Sequence, residues 1–278
     1  MLPYFPWGDD MKKRYKLIAS DCDGTLINSD HELTERTRTA IDRCMDAGAV
    51  FVLATGRPTY AVQWFVDMFD RDMPIVTYNG SFAMMSKTQK ILLEVTLPAE
   101  LCREAITLGR ERGMGVITYV DHKLYVAERN AWTDDYARFF NVGAAVTENI
   151  SDVVKNGASK VLWIKDAGSI SDIYAETQTR FAGRLNCFTS TPFLFEFIST
   201  GASKGAAIKK IGGLYGIGPE EMIAVGDGFN DVDMIEYAGL GIAVKNAPKG
   251  VKDAADEIAP SNDDDGVAAV IEKYILKK

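Results

Sequence analysis

The stretch that most constrains this chain is Asp21-Cys22-Asp23-Gly24-Thr25-Leu26, which follows directly on the apolar run Tyr15-Lys16-Leu17-Ile18-Ala19-Ser20. That run reads as a buried strand. Two carboxylates one residue apart at a strand's carboxyl end repel each other, and they persist more readily where a cation or a reaction uses them. Gly24 permits a tight turn after them, and the Thr25 hydroxyl can brace it. The rest of the chain is expected to bring a metal ligand, phosphate-binding groups and a lid to this loop.

The segments that follow set the frame. Residues 34–47 carry Ala40, Ile41 and Met45 at helical spacing, with Gly48 as a stop. A second buried strand, 49–54, ends in Thr55-Gly56-Arg57-Pro58; a helix over 61–69 leads to a third strand, 74–78, ending in Asn79-Gly80. This alternation predicts an α/β fold with a doubly wound parallel sheet, whose ligands bind outside the carboxyl ends of the strands. From residue 81 the pattern changes. A hairpin (81–85 and 91–96), a helix at 98–112, paired strands at 115–120 and 123–128, and a helix near 131–140 follow. A strand at 160–165, a helix at 170–181 and strands at 184–189 and 193–198 complete it. Short turns between neighbours predict an antiparallel sheet with helices on one face. The first pattern returns from 203, with a helix at 204–214, strands at 222–225 and 240–244, and helices at 231–238 and 267–276. The expected organisation is a core over 11–85 and 192–278, interrupted by an inserted α+β domain over 86–191, with residues 1–10 an extension outside the fold.

Composition narrows the function. At 278 residues, 47% apolar and 25% charged, the chain has an ordinary globular make-up. A net charge of -8 argues against broad nucleic-acid affinity, yet a small phosphorylated molecule needs only local positive charge. No run approaches the roughly 18 apolar residues of a membrane helix. Cys22, Cys44, Cys102 and Cys187 lack C-x-x-C spacing, which fits reduced thiols in a cytoplasmic protein. Oligomeric state is not encoded in any of these features.

A second acidic cluster, Gly226-Asp227-Gly228-Phe229-Asn230-Asp231, ends the strand at 222–225. In a doubly wound sheet it would meet the first. Oxygens from Asp21, Asp227 and Asp231 would suit Mg²⁺, which takes few carboxylates and keeps water or phosphate oxygens as its other ligands. The string is not G-x-G-x-x-G, so a dinucleotide site is rejected.

With these motifs in order, the chain resembles the haloacid dehalogenase-like superfamily, and within it the Cof-type (type IIB) phosphatases that carry a large cap between the second and third motifs. Asp21 to Leu26 matches the first motif, Thr55-Gly56-Arg57 the second, Lys204 in Ser203-Lys204-Gly205 the third and Gly226 to Asp231 the fourth. Asn79-Gly80, Asn246-Ala247 and Asp265-Gly266-Val267 also stand where that subfamily has such pairs. The resemblance implies a Mg²⁺-dependent phosphatase acting through an aspartyl-phosphate on a small phosphorylated metabolite, such as a sugar phosphate. Asp21 would be the nucleophile and Asp23 the general acid and base. Thr55, Gly56, Lys204 and Asn230 would hold the phosphoryl group. The metal would sit on Asp21, Asp227 and the backbone carbonyl of Asp23, with Asn230 and Asp231 positioning Asp227 or Lys204 from nearby. Phosphosugar mutation at the same site, or a non-catalytic phosphoryl-accepting or metabolite-binding switch, are the alternatives.

Several residues read two ways. Arg57 could serve the phosphate or pair with an acid, and Asn79 could serve the site or only its turn with Gly80. Residues 261–266 echo an EF-hand loop but start with Ser261, so a capped loop is expected. His31 and His122 are too few for a zinc site and are expected in solvent. Trp132, Tyr136, Phe139 and Phe140 at helical spacing read as core, and Cys22 as a small strand-end filler.

Overall fold

The computed structural model describes residues 15–139, 142–147 and 149–277, so the extension at 1–10 and Phe140 lie outside the described residues. In chain order the strands are β1 (Leu17–Ser20), β2 (Val50–Ala54), β3 (Pro74–Thr77), β4 (Phe82–Met85), β5 (Ile91–Glu94), β6 (Gly115–Val120), β7 (Lys123–Val126), β8 (Ala144–Val146), β9 (Lys160–Ile164), β10 (Leu185–Thr191), β11 (Leu194–Ser199), β12 (Met222–Gly226), β13 (Leu240–Val244) and β14 (Glu257–Ala259). They form two sheets among the described residues, ordered β14-β13-β12-β1-β2-β3-β4-β5 and β10-β11-β9-β6-β7-β8.

The first sheet is parallel from β14 to β3 and closes with the antiparallel strands β4 and β5. β1 lies between β12 and β2, with Ser20 opposite Val225 on one side and Leu53 on the other. Every residue of β1, β2, β12 and β13 is buried, as a parallel sheet covered on both faces requires. Ile18, Phe51 and Val225 pack toward Ile41 and Cys44 of helix Glu35–Asp46 and Ile271 of helix Gly266–Tyr274. Leu17, Ala19 and Ala224 pack the other way, toward Ile208 and Ile211 of helix Lys204–Tyr215 and Met234 of helix Val232–Tyr237. The doubly wound α/β fold expected from the sequence is therefore present.

The second sheet is antiparallel except where β8 joins β7. On one face Trp163, Phe195 and Phe197 pack against helices Ala99–Glu111 and Ala167–Phe181. On the other, Ile117, Tyr119, Leu162 and Leu194 pack with Tyr78 and Phe82, which come from the end of β3 and from β4. That contact seats the second sheet over the carboxyl edge of the first.

Strand membership corrects the expected boundaries. β5 lies beyond residue 85 yet pairs with β4 in the first sheet, Phe82 opposite Glu94. β11 lies beyond residue 192 yet sits between β9 and β10 in the second. The crossings move from 85/86 and 191/192 to the links after β5 and after β11. The cause is long-range pairing, to which local periodicity is blind. β8 and the edge strand β14, both of three residues, were not foreseen.

Candidate active site

Asp21, Thr55, Asn79 and Asp227 each stand within two residues of the end of β1, β2, β3 and β12, on one edge of the parallel sheet. The Asp21 N–H donates to the Val225 carbonyl (2.9 Å), which ties the first acidic loop to the strand carrying the second. Gly24 has φ +75°, and a Cβ there would lie 2.6 Å from Asp227 Oδ2. Only glycine admits both the turn and this approach. Next to it, the Thr25 hydroxyl donates to Asp227 Oδ1 (2.7 Å).

Lys204 is the first residue of its helix, whose N-cap Ser203 accepts from the Ala206 N–H (3.1 Å). A Cβ at Gly80 (φ +94°) would lie 2.1 Å from the Ser203 carbonyl oxygen, so the Asn79-Gly80 turn lets this helix start against the end of β3. The Lys204 ammonium is fully buried and lies 2.5 Å from both Asp21 Oδ1 and Asp231 Oδ1. The second oxygen of Asp231 accepts from the N–H groups of Asp227 (3.0 Å) and Gly228 (2.8 Å). Asp231 thus fixes both Lys204 and the second acidic loop.

The charges do not balance. Oxygens of Asp21, Asp227 and Asp231 lie within 4.8 Å of one another. Against these three carboxylates stands the single Lys204 ammonium, leaving 3 − 1, or two, negative charges in excess when all are ionised. Burial pushes the Asp21 carboxyl well above its usual range, Asp231 adds to the shift, and Lys204 opposes it. Burial and Asp231 push Asp227 up to about 6. Burial works against the Lys204 charge, but Asp21 and Asp231 outweigh it and hold the ammonium more firmly protonated than usual. A positive side chain at a helix N-terminus is disfavoured by the dipole, so these carboxylates account for its position. An all-oxygen set with surplus negative charge fits a hard divalent cation such as Mg²⁺. Since Asp231 is engaged by Lys204 and two N–H groups, Asp21 and Asp227 carry most of the free coordinating capacity.

The Asp23 carboxylate does not join this group. Arg57 forks onto it, Nε to Oδ2 at 2.8 Å and an Nη to Oδ1 at 2.5 Å, and a second Nη reaches the Ala61 carbonyl at 3.4 Å. Of the two readings of Arg57, the acid partner is the one seen. The Thr55 hydroxyl oxygen accepts from the Arg57 N–H (3.1 Å), which leaves its own proton free to donate. Asn79 is buried, and its side-chain oxygen accepts from Asn230 Nδ2 (2.9 Å) while its Nδ2 donates to Glu196 Oε2 (3.2 Å). Asn246 Nδ2 donates to the Gly24 carbonyl (2.7 Å), bracing the first loop instead of merely forming a turn.

Asp21, Asp23, Thr55, Gly56, Arg57, Asp227 and Asn230 share one cavity of about 610 Å³ with side chains of the second sheet and its helices. Two of those were misjudged from sequence: Trp132 and Phe139 are 40% and 67% exposed and line the cavity, while Tyr136 is buried as expected. Helical spacing marks a face but not what that face meets. His122 is half-buried against Phe82 and Tyr78, not in solvent. Cys22 is fully buried, and burial pushes its thiol up, so it fills space. The 261–266 stretch is a capped loop: Asp263 accepts from Ser29, Asp264 from Ser261, and Asp265 from Thr34 and Thr37. Lys160 and Glu196, both of the second sheet and both lining the cavity, were missed. Their signal was present, since Glu196 is the lone charge in the apolar run 193–198.

Comparison with known proteins agrees with this geometry. The family model of haloacid dehalogenase-like hydrolases matches residues 18–271. YxeH of Bacillus subtilis (strain 168) is 31% identical over 274 residues, covering 95% of this chain and all of YxeH. The 5-amino-6-(5-phospho-D-ribitylamino)uracil phosphatase YitU of the same organism is 26% identical over 274 residues, covering 95% of this chain and 99% of its own. The crystal structure of a haloacid dehalogenase-like hydrolase from Bacteroides thetaiotaomicron superposes with a TM-score of 0.83 at 32% identity, over 93% of this chain and 99% of that one. The chain belongs to the haloacid dehalogenase-like hydrolases, and its enzyme class is that of the phosphatases among them.

Proposed function

We propose that the protein hydrolyses a small phosphomonoester, a sugar phosphate or similar metabolite, through a phosphoryl group carried on Asp21. The observation that carries the reading is the buried Lys204 clamp on Asp21 and Asp231, behind Asp21 and Asp227, which stand at adjoining strand ends and line a 610 Å³ cavity. An Asp21 oxygen attacks phosphorus, and the bond from phosphorus to the leaving oxygen breaks. Asp23 supplies the proton that oxygen needs and then takes one from the water that attacks the acyl phosphate. To do so its half-exposed side chain swings off Arg57. The Thr55 hydroxyl, the Gly56 N–H and the Lys204 ammonium hold the phosphoryl oxygens, with Asn230 at the rim. Asp21, Asp227 and the Asp23 carbonyl would hold Mg²⁺, which when bound would neutralise charge as the nucleophile meets the phosphate.

In this reading the second sheet and its helices form a cap that excludes bulk water and chooses the leaving group. The division is a core built on the first sheet and a cap between β5 and the helix that begins at Lys204. YitU's named substrate supports a phosphorylated metabolite as the substrate class. Four free cysteines suit a reducing cytoplasm.

Asp21→Asn tests the proposal. The amide keeps the shape of the carboxylate, so the protein should fold while turnover of every phosphomonoester in a Mg²⁺-supplemented panel falls by at least about 10⁴-fold. Retained activity in that variant rules Asp21 out as the nucleophile.

A further inference from the structure

Among the described residues two lysines are buried and ion-paired, Lys204 and Lys160, and the second has no part in the chemistry described so far. Lys160, the first residue of β9, is 2% exposed, and Glu196 of β11 is 3% exposed. Their charged ends lie 2.9 Å apart. A buried ion pair is a poor source of stability: apolar residues of similar volume commonly serve as well or better. Its position says more. Lys160 Nζ also donates across the gap between the sheets to the Gly56 carbonyl (3.2 Å). Glu196 holds Ser190 with one oxygen and Asn79 with the other. Asn79 in turn lies against Gly56, where a Cβ would meet Asn79 Oδ1 at 2.9 Å.

The Gly56 carbonyl and the Arg57 N–H belong to one peptide plane. An ammonium on that carbonyl fixes the plane, and the Arg57 N–H then points at the Thr55 hydroxyl oxygen (3.1 Å). With its oxygen accepting there, the hydroxyl keeps its own proton free to donate, and Thr55 and Asp21 both line the cavity. Polarisation runs the same way, since each bond in such a chain strengthens the next.

We propose that Lys160, held by Glu196, is a positioning residue: a cap-borne ammonium that sets the Thr55-Gly56-Arg57 loop to receive the phosphoryl group. The cap then acts on the rate of the chemical step and not only on the choice of leaving group. This rests on the phosphatase reading above.

The test compares Lys160→Met, Lys160→Arg and the double variant Lys160→Met with Glu196→Leu, on three phosphomonoesters with unrelated leaving groups. The double variant removes the pair together and keeps no buried unpaired charge, so it carries the test if Lys160→Met alone fails to fold. The expected result is a loss of kcat of roughly tenfold to a hundredfold, by a similar factor on all three substrates, with KM within about threefold and partial recovery in Lys160→Arg. An unchanged kcat in the folded double variant overturns the proposal. So does a loss that differs more than about tenfold between leaving groups, which would make Lys160 a leaving-group contact. If the wild-type protein turns over none of the three, the hydrolytic reading fails by itself. The positioning claim is then read from inorganic phosphate affinity measured calorimetrically with Mg²⁺: about tenfold weaker in the double variant upholds it, and unchanged affinity overturns it.

Discussion

Two buried lysines, one in each half of the molecule, face carboxylates and do different things. Lys204 meets Asp21 and Asp231, with Asp227 close by, so one positive charge stands among three negative ones. Among the described residues Lys160 pairs with one carboxylate, Glu196, and the charges cancel. An unbalanced cluster is tolerable only if protons or a cation bind to it, and the raised pKa values of Asp21 and Asp227 express that demand. A balanced pair makes no such demand and is free to serve geometry. The difference separates a cluster that draws protons or a cation from a pair that we propose aligns a loop.

The largest expected effect is at the unbalanced cluster. Lys204→Met leaves Asp21 and Asp231 buried against each other, and chemical denaturation at neutral pH should find the fold weakened by about 3–5 kcal/mol, with turnover lost. The double replacement of Lys160 and Glu196 should leave stability no lower than the parent's. Equal losses in the two variants would erase the distinction.

Acidity provides the next test. Asp227 has a folded-state pKa of about 6, above its ordinary carboxylate value. Without metal, its proton therefore stabilises the fold at low pH, and that contribution is lost as pH rises through about 6. A divalent cation competes with the same proton. The rise in melting temperature on adding Mg²⁺ should thus be several-fold larger at pH 7.5 than at pH 5, and chelation should abolish both the rise and the activity. A metal effect indifferent to pH would argue against Asp227 as a ligand.

The smallest effect is expected at Arg57. Its partner Asp23 is half-exposed, and such pairs contribute about 0–1 kcal/mol. Arg57→Ala should therefore change the melting temperature little and kcat by no more than about fivefold. A loss of several hundredfold would mean that Arg57 touches the reacting phosphate.

Much of this was legible in the sequence because its physics is local. β1, β2 and β12 are apolar on both faces, so each shows as a continuous run, and each ends in the small and polar residues that form the site. Asp21 and Asp227 are found from those ends, while Thr55 and Lys204 take their roles from the family motifs they match. What escaped is set by contacts far apart in the chain. The sheet to which β5 and β11 belong depends on their partners, and Lys160 acquires meaning only against Gly56, 104 residues away. The fork of Arg57 on Asp23, across 34 residues, is likewise a matter of where two side chains turn after folding. Trp132 and Phe139 carry a pattern that would suit a core, and only the apposition of the two sheets turns them toward a cavity.

The central claim is that Asp21 carries the phosphoryl group and Asp23 releases it. Asp23→Asn should still accept a phosphoryl group from an acyl or aryl phosphate, whose leaving oxygen needs no proton, but should hydrolyse the intermediate slowly. Acid quenching within a turnover followed by peptide mass spectrometry is the direct measurement. A phosphoryl adduct should accumulate on the peptide containing Asp21 in that variant and disappear when Asp21→Asn is added. Release of phosphate with no adduct at Asp21, or an adduct at another residue, would contradict the claim.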